Sequence, residues 1–509
     1  MRKNCITTFI GVAMVCSACS ADDITVHYQG ETAIVEQKVT DSVNVSVEGA
    51  KVMIESLYKA HQLRVRLTGS SNDGQLVLKS AGKAIVTMDG ASITSREGAA
   101  MWLKNKKKVE IVAANGTENS LLIEACQDTA NHKSAALWSK DKLQLSGKGT
   151  LNITATGDGC RGIKAKHNIT MDDLTLVVKT TGNHLGEDTT KMMGFGGPPP
   201  HFNPDDMPEE MKAHFEEMRK RFEEMREKGE FPFGGHDGFP PHFGEGRPPH
   251  GGEGMPQMNG GGMPPMGGGM PPMKRKYISP AKAITSTGIV TINSGNITVS
   301  TSTAGAEGIE GKKGVVMNGG NINVLAMDDA INADERIYFN GAKVVARSIS
   351  NDAVDANYGD TFPLFFGAPA DNQKEADPAI IITGGEVYAW SQIGMPEEGL
   401  DCDFSPIEVS GGKVFSVGAG MGEMPSVPTN ETAHQPTALL LGLDITQDEP
   451  IEICDEKGKL LNRLTVPFSF QRSSSLISCP EFKVGNTYTI KTKDYEKTFT
   501  LTEAFTIVR

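Results

Sequence analysis

Aromatic residues are scarce in this chain, at 6% of 509 residues, and only 3 are Trp. Beside 57 glycines, that scarcity disfavours a helical bundle and suits an all-β chain with many tight turns. An excess of positive charge is missing too. A formal charge of −13 argues against nucleic acid or an anionic membrane surface as a direct partner. An acidic protein still binds a polyanion where a divalent cation bridges the two. No Ser/His/Asp arrangement, paired-carboxylate hydrolase motif or phosphate loop stands out. Cysteine is sparse, and its spacings match no zinc site.

The one marked apolar stretch near the start, Ile6 to Val15, is too short for a stable bilayer anchor. It follows the basic pair Arg2 and Lys3 and ends in Cys16-Ser17-Ala18-Cys19, the pattern of a lipoprotein signal peptide over residues 1–18. Cys19 is then the lipidated residue, so the chain meets a membrane through that N-terminal lipid alone. Cys16 stands where Leu is usual, and ordinary cleavage near Ala21 is the alternative. Asp22 and Asp23 look like the acidic tag that sends such proteins to the outer face of the outer membrane, which predicts a lipid-anchored protein at the cell surface. Five further cysteines remain: 126, 160, 402, 454 and 479. An odd number leaves at least one free thiol, and Cys454 with Cys479 is one candidate pair.

An internal repeat organises the rest. Ala100-Met101-Trp102, Ala136-Leu137-Trp138, Gly162-Ile163-Lys164 and Ala283-Ile284-Thr285 open a series. Gly308-Ile309-Glu310, Ala330-Ile331-Asn332, Ala353-Val354-Asp355 and Gly399-Leu400-Asp401 continue it. Each is Gly or Ala, then an apolar residue, then a variable one. Successive apolar positions differ by 36, 26, 121, 25, 22, 23 and 46. The 46 reads as two coils of 23, and the 121 contains an insertion. A sharp corner tolerates little Cβ bulk, and the apolar residue points inward to stack on its counterpart one coil away, at about 4.8 Å. Small residues again follow the variable one from Ser139 to Cys402, with Leu103 the exception. Turns such as Asn293-Ser294-Gly295-Asn296 and Asn318-Gly319-Gly320-Asn321 read as the entry to a second strand per coil. Coils of this length predict an all-β fold, a parallel β-helix (β-solenoid).

The divisions expected are an N-terminal extension over 19–50, β-helix over 51–190 and 277–425, and a small C-terminal β cap over 426–509. Residues 191–276 form a low-complexity Met/Gly/Pro/His insertion, predicted to be disordered. The wider stretch 190–276 holds 12 of the 23 methionines and 5 of the 11 histidines. Met211, Phe215, Met218, Phe222 and Met225 make one apolar stripe on a helix over 208–228, which suits either the solenoid flank or a protein partner. Its thioethers and imidazoles are also a set that suits Cu(I).

Leu67-Thr68-Gly69 through Asp73-Gly74-Gln75-Leu76-Val77, Asp89-Gly90-Ala91-Ser92-Ile93 and Ala114 through Asn119 resemble the start of a known family. Gly162 to Lys166, Asp328 to Ala333 and Asn351 to Ala356 resemble its repeats, and Ser474 through Ile490 its tail. The family is that of carbohydrate-binding parallel β-helix proteins typified by a clostridial polygalacturonate-binding protein. The resemblance spans roughly 50–190 and 277–492 and leaves out the insertion. It implies a right-handed parallel β-helix like that of polysaccharide lyases, bound calcium and affinity for acidic polysaccharide.

Two columns flank the repeat's apolar mark. Two positions before it stand Ala99, Ala135, Arg161, Lys282, Glu307, Asp329, Asp352 and Glu398. Just after it stand Trp102, Trp138, Lys164, Thr285, Glu310, Asn332, Asp355 and Asp401. One edge of the solenoid therefore grades from aromatic through basic to acidic. Carboxylates stacked at coil spacing repel, and calcium with its six to eight oxygen ligands is one remedy, a solvated edge with splayed carboxylates the other. The expected metal ligands are Glu307, Glu310, Asp328, Asp329, Asn332, Asp352 and Asp355, with Glu398 and Asp401 as a second site. Trp102 and Trp138 offer faces to sugar rings or close an apolar end, and Arg161 and Lys164 face an anionic ligand. A calcium-dependent lyase is the rival to a binding protein, with Lys343, Arg347, Arg161 or Lys164 as base. A cell-surface scaffold or adhesion role is the third reading.

Overall fold

The computed structural model describes residues 22–39, 41–126, 134–184, 281–358, 377–393, 397–402, 405–418, 426–493 and 495–509. Cys19, the insertion 191–276 and its expected helix over 208–228 lie outside them. Among the described residues the regular structure is β throughout, 37 strands with no helix. Strands of successive coils pair in parallel, so the fold is a β-solenoid.

From Met101 to Ser391 each coil has three strands, not two, whereas the coils before it have two, the second of them long. Arg161–Ala165, Ile169–Asp172 and Thr175–Thr180 make one coil. The next pairs on it strand for strand through Ile284–Ser286, Val290–Ile292 and Asn296–Thr301. Turns of the Asn293–Asn296 kind therefore enter the third strand. The second strand escaped notice because three residues such as Val290–Ile292 are too few for alternation to show. The first strands form a ten-stranded sheet. The other two faces are continuous through the long strand Ala84–Ser95, which bends round the corner and pairs with Val109–Ala113 and Glu118–Ile123 in turn.

Coil-to-coil register fixes the columns. Met101, Leu137, Ile163, Ile284, Ile309, Ile331 and Val354 stack in the ten-stranded sheet, and all are fully buried. Each such side chain contributes about 1.5–3 kcal/mol of burial. Leu103, Ser139, Ala165, Ser286, Ala333, Ala356 and Cys402 also point inward, at 0–2% exposure. Lys164 pairs directly with Thr285, so the insertion leaves the coil register unbroken. The spacing of 46 is one coil and not two. Asp355 bridges Asp401 with no coil between them, and the extra residues lie in the connection from Val354–Ala356 to Ile380–Ile382.

The Gly/Ala column has a steric origin. Neither Gly162 nor Gly308 is in the left-handed region. A Cβ on Gly308 would lie 2.4 Å from Val324 Cγ1 and 2.5 Å from the Ala330 carbonyl oxygen, and Gly162 meets Val178 and Ala283 in the same way. Small residues are thus needed because the third strand crosses close behind the first.

The ends depart from the parallel rule. Residues 24–48, expected as an extension, are already strands: Ile24–Gly30 pairs in parallel with Leu63–Ser71, while Thr32–Gln37 and Val43–Glu48 turn back antiparallel. Asp22 and Asp23, read as a sorting tag, are buried in this first coil. Asp22 pairs with Arg66 at 2.6 Å, and Asp23 accepts from the Arg64 backbone N–H at 2.9 Å and meets His61 at 3.0 Å. At the other end Phe470–Ser478 pairs antiparallel with the last coil strand, Lys413–Gly418. A four-stranded antiparallel sheet within 450–500 follows. Its Ile451, Ile453, Tyr488 and Phe499 pack with Tyr388, Trp390, Phe415 and Val417, burying the outward side of the last coils.

Cys126 and Cys160 form a disulfide between adjacent coils. Cys454 and Cys479, the pair suggested by their common segment, are separate buried thiols, as is Cys402.

Replacing Gly308 by Val is expected to cost about 1–3 kcal/mol by overpacking. Urea titration reads this as a lower midpoint, and an unchanged midpoint would contradict the close-approach account of the column.

Candidate functional site

The outward side of the ten-stranded sheet carries the graded column as one continuous register. Met53, Val77, Trp102, Trp138, Lys164, Thr285, Glu310, Asn332, Asp355 and Asp401 follow one another coil by coil. Alternation in a strand puts them all opposite the buried apolar column.

At the aromatic end Trp102 and Trp138 meet edge to face, with ring centroids 6.2 Å apart. Trp138 is buried, packed with Ala99 and Ala135, while Trp102 stays partly exposed with Lys104 Nζ 4.1 Å above its ring. Of the two, Trp102 has the accessible face. Below them Arg161 is buried and Lys164 half-buried. Burial, with Arg161 and Lys166 nearby, lowers the Lys164 ammonium to about 8 against the pull of Glu310.

The acidic end is organised by lysines and amides. Lys282 Nζ lies 2.7 Å from Glu307 Oε1 and 2.8 Å from Glu310 Oε1. Lys312 reaches Glu310 at 2.7 Å and Asp334 at 2.7 Å. Burial opposes ionisation of Glu310, but the two ammonium groups outweigh it and hold its carboxyl below the ordinary value. Asn332 donates to Asp329 at 3.0 Å and to Asp355 at 2.8 Å. Asn351 donates to Asp329 at 2.7 Å, and Asn357 to Asp355 at 2.8 Å.

Not all of the charge is compensated. Glu307, Asp328 and Asp329 bring one carboxylate oxygen each to within 4.8 Å of one another. Glu307 Oε2 is buried without a hydrogen-bond partner. Burial raises all three carboxyls above the ordinary range. Asp329 rises furthest, with Asp355, Asp328 and Glu307 adding to it. This all-oxygen set, anionic and with an orphaned buried oxygen, fits a hard divalent cation such as calcium.

A second acidic group centres on Asp352, which burial and then Asp401 and Glu397 push up to about 10. The Glu398 backbone N–H donates to Asp352, and Asp401 accepts from Ser426 Oγ at 2.7 Å. The expected ligand set thus divides. Glu307, Asp328 and Asp329 converge; Glu310 belongs to the lysines; Asn332 is a bridge between carboxylates; Asp352, Glu397 and Asp401 form a separate neighbourhood. Lys312 and Glu397 were missed because neither sits in a repeating column, though the doublet Glu397-Glu398 was a signal.

Lys343 and Arg347 point elsewhere. Both lie on a strand of the larger sheet, where Lys343 pairs with Glu386 at 2.9 Å. Arg347 donates to Gln392 and stacks over Phe468, in the connection between Leu460–Thr465 and Phe470–Ser478.

Residues 29–193 and 275–353 match the sequence profile of a family described as carbohydrate-binding domain-containing proteins. The two stretches flank the insertion, and the match stops short of the tail expected to share the resemblance. A carbohydrate-binding domain-containing protein of Acetivibrio thermocellus is 29% identical over 145 residues, which is 27% of this chain. The match covers 47% of that protein's length, about half of it. A solved structure of a polysaccharide lyase-like protein from C. thermocellum, a gadolinium derivative, aligns at 17% identity and a TM-score of 0.34. That alignment covers 63% of this chain and 93% of the other. On both sides of its insertion, then, the solenoid is similar in sequence to carbohydrate-binding domain-containing proteins.

Proposed function

We propose that the outward side of the ten-stranded sheet binds an acidic polysaccharide such as polygalacturonate, with calcium held by Glu307, Asp328 and Asp329. The observation that carries this reading is the column itself. Trp102 offers an aromatic face and Lys164, with Arg161 close by, a cation for sugar carboxylates in the register of one sheet. Glu307, Asp328 and Asp329 offer oxygens for a metal just before its strands Ile309–Gly311 and Ile331–Ala333. Bound calcium would neutralise the cluster and share its remaining coordination with a uronate carboxylate, while Lys282 and Lys312 hold Glu310 in place. Similarity to carbohydrate-binding domain-containing proteins supports the ligand class.

Titration with polygalacturonate in calcium is expected to give binding that Trp102→Ala and Lys164→Met each weaken about tenfold, a loss of roughly 1.4 kcal/mol. The polymer should remain intact. Lys164 is the side chain that favours a lyase as second reading, since an amine lowered to about 8 is close to a working base. Unsaturated product that appears with the native chain and disappears in Lys164→Met would replace the binding reading with that one.

Stability offers an independent check. A carboxyl whose value is raised by folding stabilises most below its unfolded value, near 4, and loses that contribution as pH rises towards its folded value. Glu307, Asp328 and Asp329 are raised, and Asp352 reaches about 10. In chelator the melting temperature should therefore fall between pH 5 and pH 9. Added calcium should recover more at pH 9 than at pH 5, and Asp329→Asn should flatten the chelator profile. A melting temperature that rises with pH in chelator would sink the uncompensated cluster.

We also infer export and lipidation at Cys19, with the solenoid held at the outer face of the outer membrane. The Cys16–Cys19 pattern supports the lipidation, and only the acidic pair Asp22 and Asp23 behind it supports the outer-face address. Labelled palmitate should enter the native chain and not Cys19→Ser; equal labelling of both would remove the anchor from the proposal.

A further inference from the structure

We propose that the Lys282 ammonium stands in for a cation between Glu307 and Glu310, so that the acidic corner accepts one divalent ion and no second. The inference rests on the calcium reading above and concerns how many ions the corner takes and how tightly. Glu307 and Glu310 belong to one coil and lie on either side of Gly308 and Ile309, while Lys282 reaches them from the coil before. Its Nζ lies 2.7 Å from Glu307 Oε1 and 2.8 Å from Glu310 Oε1, with 13% of the side chain exposed. An ammonium group donates hydrogen bonds and cannot ligate a metal, so it occupies the space between these oxygens as a cation.

The charge count agrees. Glu307, Glu310, Asp328 and Asp329 face Lys282 and Lys312. Four carboxylates against two ammonium groups leave two negative charges, which one divalent ion neutralises, apart from the exposed Asp334 that shares Lys312. The geometry agrees as well. Glu307 turns Oε1 to Lys282 and has Oε2 buried without a partner, so one carboxylate divides its oxygens between a resident ammonium and the converging acids. Without Lys282, Glu307 would have both oxygens available, Glu310 would keep Lys312 alone, and the corner would carry a third negative charge.

Calcium chloride titrated into the full chain by calorimetry, with bound calcium counted by elemental analysis, tests the inference. Lys282→Met is expected to bind calcium about tenfold more tightly or more, or to take a second ion. Lys282→Arg keeps the charge and should match the native chain. Native affinity and a single ion in Lys282→Met would overturn the proposal, as would Lys282→Arg behaving like Lys282→Met. A native chain that binds no calcium defeats the calcium reading. In that event calcium uptake by Lys282→Met would still support the role of Lys282, and no uptake would overturn both. Should Lys282→Met fail to fold in chelator, refolding by calcium below the concentration that saturates the native chain supports the proposal. Failure of calcium to refold it overturns it.

Discussion

Parallel stacking at a single strand spacing is the constraint on which the rest of this molecule depends. Each coil lays its strand residues directly over the equivalent residues of the coil before, about 4.8 Å away. A position is therefore never chosen once; it is chosen for the whole column. Inward, that rule rewards repetition, because Ile284 on Ile309 on Ile331 buries apolar surface with no packing mismatch. Behind the first strand it demands small residues, since the third strand passes so close that a Cβ at 308 would strike Val324. Outward, the same rule brings like charges together, and the chemistry of the candidate site begins there.

A stack of parallel coils also has two edges that would go on pairing with other strands. This chain closes both by reversing direction. Thr32–Gln37 and Val43–Glu48 fold back at the start, where Asp22 and Asp23 lock the incoming chain to Arg66, Arg64 and His61. At the finish Phe470–Ser478 runs antiparallel across the last coil, and the four-stranded sheet covers its outward aromatic side. The sequence pattern records that cover. Asn321–Ala326 alternates exposed and buried, whereas Glu386–Ser391, four of whose six residues are apolar, is buried almost throughout.

Columns were legible in the sequence because they repeat; whatever does not repeat was not. The Gly/Ala column, the apolar column and the aromatic-to-acidic gradient all appear in register, including across the insertion, where Lys164 meets Thr285. In the coils after the insertion the middle strand was hidden by its length of three residues. The spacing of 46 was divided into two coils because a single coil with an enlarged connection leaves the same arithmetic. Within the site, the carboxylates could be named from their column but not sorted. Sorting depends on which of them a lysine reaches, and Lys312 reaches Glu310 from outside any column. The Cys126–Cys160 bond was equally out of view, since linear spacing does not report that the two residues occupy adjacent coils.

The same coils show what a column looks like when nothing but stacking is asked of it. At the turn into the third strand, Asn318 donates to Asn293 at 2.8 Å and Asn340 to Asn318 at 2.8 Å, with Thr383 continuing at 2.9 Å. Each amide is both donor and acceptor, so the ladder satisfies itself and accumulates no charge. Across the same coils, on the ten-stranded sheet, the chain places Glu310, Asn332 and Asp355 with Glu307, Asp328 and Asp329 beside them. A neutral solution was available and is used a few residues further along each coil. The acidic one raises carboxyls above their ordinary range, leaves a buried Glu307 oxygen without a partner, and enlists two lysines for Glu310. Departure from the easy local choice is where function is expected in a fold that otherwise repeats. That contrast, internal to one set of coils, is the physical ground on which a binding role is proposed for the acidic corner.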